Sequence, residues 1–78
     1  MLVQAIWLRG SNGSESHWYE TSLEPRVGDF LQLDTVEIGV ITARLFTRTE
    51  DGTHLSVYVH TVSPEDFRIH IQRIPQHA

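Results

Sequence analysis

Apolar and polar positions alternate along most of this chain, and the alternation is cut at glycines and prolines. Leu2 to Arg9 is apolar on both faces, with Leu2, Ile6 and Leu8 on one and Val3, Ala5 and Trp7 on the other. Such a strand is buried on both sides or lies at an interface. The Gly10-Ser11-Asn12-Gly13-Ser14 run breaks it. Residues 15 to 26 show no period and read as a long, partly ordered loop punctuated by Pro25. Val27-Gly28-Asp29 is a tight turn feeding a short strand, Phe30 to Leu33, and Asp34-Thr35 is a brief turn. A long strand follows from Val36 to Thr49. Its internal Gly39 marks a bulge or sharp bend. The β-branched run His54 to Val62 is its partner.

The Thr49-Glu50-Asp51-Gly52-Thr53 turn predicts a hairpin. A three-residue loop places Gly52 at a left-handed position, where the missing Cβ removes the steric penalty. Thr49 then opposes Thr53, Arg48 opposes His54 and Arg44 opposes Tyr58. One face collects Ile41, Ala43, Leu45, Leu55, Val57 and Val59, and the other Arg44, Phe46, Arg48, His54, Tyr58 and His60. A two-residue Asp-Gly loop would put Arg44 and Arg48 on the face of Leu55 and Val57, where burial costs at least about a few kcal/mol each. The three-residue loop is preferred on that ground.

Ser63-Pro64-Glu65-Asp66 opens like a helix, with cap, proline and acids in the first turn. Beyond it Phe67, Ile69 and Ile71 alternate with Arg68, His70 and Gln72, so the expectation is one helical turn and then a strand ended by Pro75. Five strands in one domain, 1–78, predict a mostly β fold, a small SH3-like barrel or β-roll. The alternative is an α+β fold, an antiparallel sheet with one C-terminal helix at 63–74.

Composition narrows the function. A chain of 78 residues builds a thin core, and without cysteine it has neither disulfides nor thiolate metal sites, which favours oligomerisation. The net charge of -4 argues against nucleic acid and anionic membrane as partners. All six basic residues are arginine, as a GC-rich genome would give. The apolar start is too short for a membrane span and lacks the marks of a signal peptide, so the expected location is cytoplasmic. On the same ground Asn12-Gly13-Ser14, a glycosylation sequon in form, reads as a turn.

Candidate chemistry is sparse. Of the five histidines, His54 and His60 share a face but lie about 20 Å apart at ~3.3 Å per residue, and His17 and His77 sit in a loop and a tail. No cofactor or metal is expected. Glu50-Asp51 reads as turn chemistry and Glu65-Asp66 as helix-start chemistry. Trp18 and Tyr19 form an aromatic pair in the long loop, with Trp18 expected to fold back and plug the barrel end. Glu15, Glu20 and Glu24 flank the pair, so a ligand there is basic or neutral.

In the Val27-Gly28-Asp29 turn and the alternation after it, the chain resembles small SH3-like barrels. It lacks the acidic-aromatic loop and middle-strand tryptophan of peptide-binding SH3 domains. It is also similar to the plasmid-borne type II dihydrofolate reductases, SH3-like chains of similar length that form tetramers around a Val-Gln-Ile-Tyr strand. Phe67-Arg68-Ile69-His70 keeps the isoleucine alone, so the resemblance implies an oligomeric style and no catalytic residue. In style the chain is similar to products of bacterial mobile gene cassettes and phage genomes. The expected function is a non-enzymatic module that self-associates and binds a protein or peptide through Arg44, Phe46, Arg48, His54, Tyr58 and His60, with Trp18 and Tyr19 beside them. The alternative is a small-molecule or enzymatic site at an oligomer interface.

Overall fold

The strand that is apolar on both faces lies inside the sheet rather than at its edge. In the computed structural model, which describes residues 1–10, 13–33 and 37–73, the strands are β1 (Leu2–Leu8), β2 (Ser14–Glu20), β3 (Phe30–Leu31), β4 (Ile38–Thr49) and β5 (Gly52–Val62), followed by one helix, α1 (Pro64–Arg73). The sheet order is β2-β1-β5-β4-β3. All neighbours are antiparallel except β1 and β5, which are parallel. The fold is thus mostly β, a curled half-barrel with a short C-terminal helix. The Asp34-Thr35 turn, the strand start at Val36, residues 11–12 and the tail with Pro75 and His77 lie outside the described residues.

Register divides the sheet into two faces. On the inner one, Val3, Ala5 and Trp7 oppose Leu55, Val57 and Val59, and Ile41 opposes Val59 from the other side. Among the described residues these seven side chains form the buried core, with Tyr19, Leu31 and Leu33 packed against it. Gly39 belongs to this face. It is neither bulge nor bend but a site of close approach, because a Cβ there would lie 2.1 Å from Val59 Cγ1 and 2.7 Å from Trp7 Cζ2.

Three sequence expectations are corrected. The stretch expected as a loop from 15 to 26 is strand β2 through Glu20, paired with β1 from Leu2↔Glu20 to Leu8↔Ser14. It shows no hydrophobic period because it is an edge strand that lends the core only Tyr19. Its Trp18 is 53% exposed and is no plug. The final strand expected after Asp66 is helix. Ser63 Oγ accepts from Asp66 N at 3.1 Å, Pro64 takes the first turn, and Glu65 and Asp66 face the positive helix end. β5, the strand just before it, has no open side to receive it, since both are taken by β1 and β4. Phe67 and His70 of the helix pack edge-on against Phe30, at 4.9 and 4.8 Å between ring centroids.

The hairpin register is the third. Glu50 and Asp51 form a two-residue turn and Thr49 opposes Gly52, whose φ is 122°. Thr49 Oγ1 accepts from Asp51 N and donates to Gly52 O. Arg44 therefore opposes Val57, Phe46 opposes Leu55 and Arg48 opposes Thr53. A bulge between Ile41 and Ala43 then shifts the pairing by one residue. The turn and the bulge offset each other, so Ile41, Leu55, Val57 and Val59 are core as expected, while positions 43 to 49 change face. The arginines do share a face with Leu55 and Val57, yet they are not buried. Arg44 lies over Phe46 at 5.6 Å, donates to Pro25 O at 3.3 Å and pairs with Glu24 at 3.3 Å. Its stem covers apolar surface while its head stays wet.

Candidate functional site

At one end of the inner face the core gives way to a polar network built on Trp7. The indole is buried and its Nε1 donates to Thr61 Oγ1 at 3.0 Å. Thr61 Oγ1 in turn donates to Glu37 Oε1 at 3.0 Å. Arg9, just past β1, bonds both Glu37 oxygens, through Nη1 to Oε1 and through Nη2 to Oε2 at 2.9 Å. The same Nη2 reaches Glu15 Oε2 at 2.9 Å, and the guanidinium lies 5.9 Å from the Trp7 ring centre. His17 stands edge-on to Trp7 at 90°, with Nε2 3.5 Å from Glu15 Oε2.

The local sequence explains the assembly. In β2, Glu15, His17 and Tyr19 oppose Trp7, Ala5 and Val3, so all three point to the inner face. Gly10 and Gly13 hold φ of 63° and 90°, and Arg9 N donates to Gly13 O at 2.9 Å, closing the β1–β2 connection beside the network. Between these groups lies a cavity of about 430 Å³, lined by Trp7, Arg9, Glu15, His17, Tyr19, Leu33 and Glu37 and bordered by β2 at Trp18.

Electrostatics fixes the charge states. Hydrogen bonds from Arg9 hold both carboxylates below the usual range, helped by His17 at Glu15 and by Thr61 at Glu37. The two glutamates raise Arg9 above its already high value, Glu37 more than Glu15. Burial, and then the charge of Asp29, push the Tyr19 phenol up. The ionised carboxylates are acceptors here and are shifted away from general-acid work at neutral pH.

The expected binding face does not form as one surface. Arg44, Phe46 and Arg48 lie on the inner face, whereas His54, Tyr58 and His60 lie on the outer one, opposite Thr47, Ala43 and Val40. Tyr19 joins the cavity, while Trp18 shares the outer face with its partner Gln4 and approaches His54 at 5.9 Å between rings. Sequence reasoning missed Trp7, Arg9, Glu37 and Thr61 as a group. The only signal was the alternation Glu15, His17, Tyr19 in a strand with no apolar period. The missing link was a parallel pairing that brings Thr61 to Trp7 across 54 positions.

The outer face has its own character. Register places Leu2, Gln4, Ile6, Leu8, Ser16, Trp18, Leu45, Ser56 and Tyr58 on it. Among its described strand positions, Glu20 is the one Asp, Glu, Lys or Arg. Leu2 and Leu45 are 52% and 50% exposed, while Ser56 is buried and donates to Gln4 Oε1 at 3.2 Å. At the Phe30 end the outer face is covered by Phe67 and His70 of the helix. No helix among the described residues is long and apolar enough to cross a membrane. No protein-family model matches the chain, and no curated protein or solved structure matches it.

Proposed function

We propose that the chain is a non-enzymatic interaction module that self-associates through the outer face of its sheet. The observation that carries this reading is the near-absence of charge on a face where Leu2, Trp18 and Leu45 stay half exposed. Interface centres are depleted in charge and enriched in aromatic residues. A chain with net charge -4 meets its own copy at least electrostatic cost through its least charged face. The seven-residue core gives the reason to associate, since a domain this small gains much of its stability from further apolar burial. The double-sided apolar pattern of β1 fits the same picture, with Val3, Ala5 and Trp7 in the core and Leu2, Ile6 and Leu8 turned outward. A protein or peptide partner is expected on this face too.

Sedimentation velocity across the micromolar range tests the reading. Wild type is expected to show a reversible dimer. Leu45→Glu and Trp18→Glu, both at exposed positions, are expected to weaken it by about a hundredfold, the effect of roughly 3 kcal/mol of unpaired interfacial charge. Phe46→Glu, equally exposed but on the inner face, is expected to leave association unchanged. A monomer at every concentration, or a dimer broken by Phe46→Glu and not by Leu45→Glu, would overturn it.

A further inference from the structure

The inner cavity lies against the other face of the sheet, sharing only Trp18 of its described lining with the outer one, and that lining has a definite chemical preference. We propose that it binds a small organic cation, an alkylammonium group, against Tyr19, His17 and Glu15. Three observations converge. First, among the described lining residues one arginine stands against two glutamates, one negative charge in excess. Second, Arg9 is no anion site, because both terminal guanidinium nitrogens are already engaged by Glu37 and Glu15. Third, among the described residues Glu15 is engaged through Oε2, by Arg9 and His17, which leaves Oε1 as an acceptor on a carboxylate whose side chain is 56% exposed.

The cavity walls supply the rest. Aromatic rings attract cations through their negative faces, and rings combined with a carboxylate suit an ammonium that carries alkyl groups better than a bare metal ion. The volume of about 430 Å³ lies within the range of small-molecule sites. Leu33 adds an apolar surface for the alkyl part. The same cationic chemistry is carried by a free alkylammonium compound such as choline and by a lysine side chain of a peptide.

Titration of the 15N-labelled protein followed by NMR tests this with choline, with its neutral isostere 3,3-dimethylbutanol, with N-acetyl-lysine amide and with acetate. Choline or the lysine amide is expected to shift the amides of Glu15, His17 and Tyr19 saturably in the millimolar range, and whichever binds tighter identifies the source of the ammonium. The neutral isostere is expected to bind at least about tenfold more weakly. Glu15→Gln is expected to weaken choline about tenfold with the rest of the spectrum kept. Glu20→Gln, the same charge change on the outer face, is expected to have no effect. Equal binding of the isostere, binding of acetate at these amides, or no saturable shift with either ammonium would overturn the proposal. None of these outcomes bears on self-association, which the sedimentation experiment reads separately.

Discussion

Replacing Gly39 by alanine is expected to cost about 3 kcal/mol or more, the upper range of overpacking in a tight core, and to leave the chain largely unfolded at room temperature. The cause is space, not backbone conformation. The added Cβ would sit 2.1 Å from Val59 Cγ1, 2.7 Å from Trp7 Cζ2 and 3.2 Å from His60 O. Val59 is fully buried and Trp7 nearly so, and the third neighbour is backbone, so none of them yields easily. A domain of this size has little stability to lose. Urea denaturation followed by circular dichroism measures the loss. Pairing Gly39→Ala with Val59→Ala removes the closest clash, and the double variant is expected to be less destabilised than the sum of the two single changes. Strict additivity would show that the two residues do not meet.

Trp7→Ala is expected to destabilise by about 3–5 kcal/mol, as truncation of a buried aromatic side chain does. Trp7 is 3% exposed and sits where three strands meet, flanked by Val59, Gly39 and Thr61. Its loss removes core volume and the shelf beneath Arg9 at once. Trp7→Phe keeps most of the volume and loses the bond to Thr61, so about 1 kcal/mol is expected beyond its packing change. The same urea titrations measure both variants. The protein has two tryptophans, and Trp18 is half exposed. Trp7→Ala should therefore leave only solvent-exposed indole emission even before denaturant is added.

Much of the fold is legible in the sequence where local chemistry and tertiary need agree. Leu2 to Leu8 is apolar on both faces and takes a central place. Gly28 turns the chain with φ of 96°, and Asp29 N donates back to Arg26 O. Ser63 caps the helix as its neighbours foretell. The errors arise where the decisive partner is distant. The 67–71 alternation favours a strand, but the adjacent β5 has no open side, and Phe67 and His70, three residues apart, both meet Phe30 from the helix. The polar β2 carries no period of burial because its inward side chains line a cavity instead of a core.

The hairpin shows why the candidate site was harder to read than the fold. The cost of burying Arg44 and Arg48 favours the three-residue loop only where every position on the core face is closed to water. The half-barrel is open there, and Arg44 keeps its charge wet while covering Val57 and Phe46. The bulge after Ile41 has no marker in its own residues, yet it decides which side chains of β4 point outward. With it, Ala43 and Leu45 leave the expected core and join Tyr58 and Ser56 on an uncharged surface.

The division of the sheet into a charged inner face and a nearly uncharged outer one rests on that register, which interstrand backbone NOEs between β4 and β5 read directly. The shortest distances are expected to link Arg44 with Val57, Phe46 with Leu55 and, across the bulge, Ile41 with Val59. A set that instead links Arg44 with Tyr58 and Phe46 with Ser56 would contradict it, returning both arginines to the outer face and abolishing the nearly uncharged surface on which self-association depends.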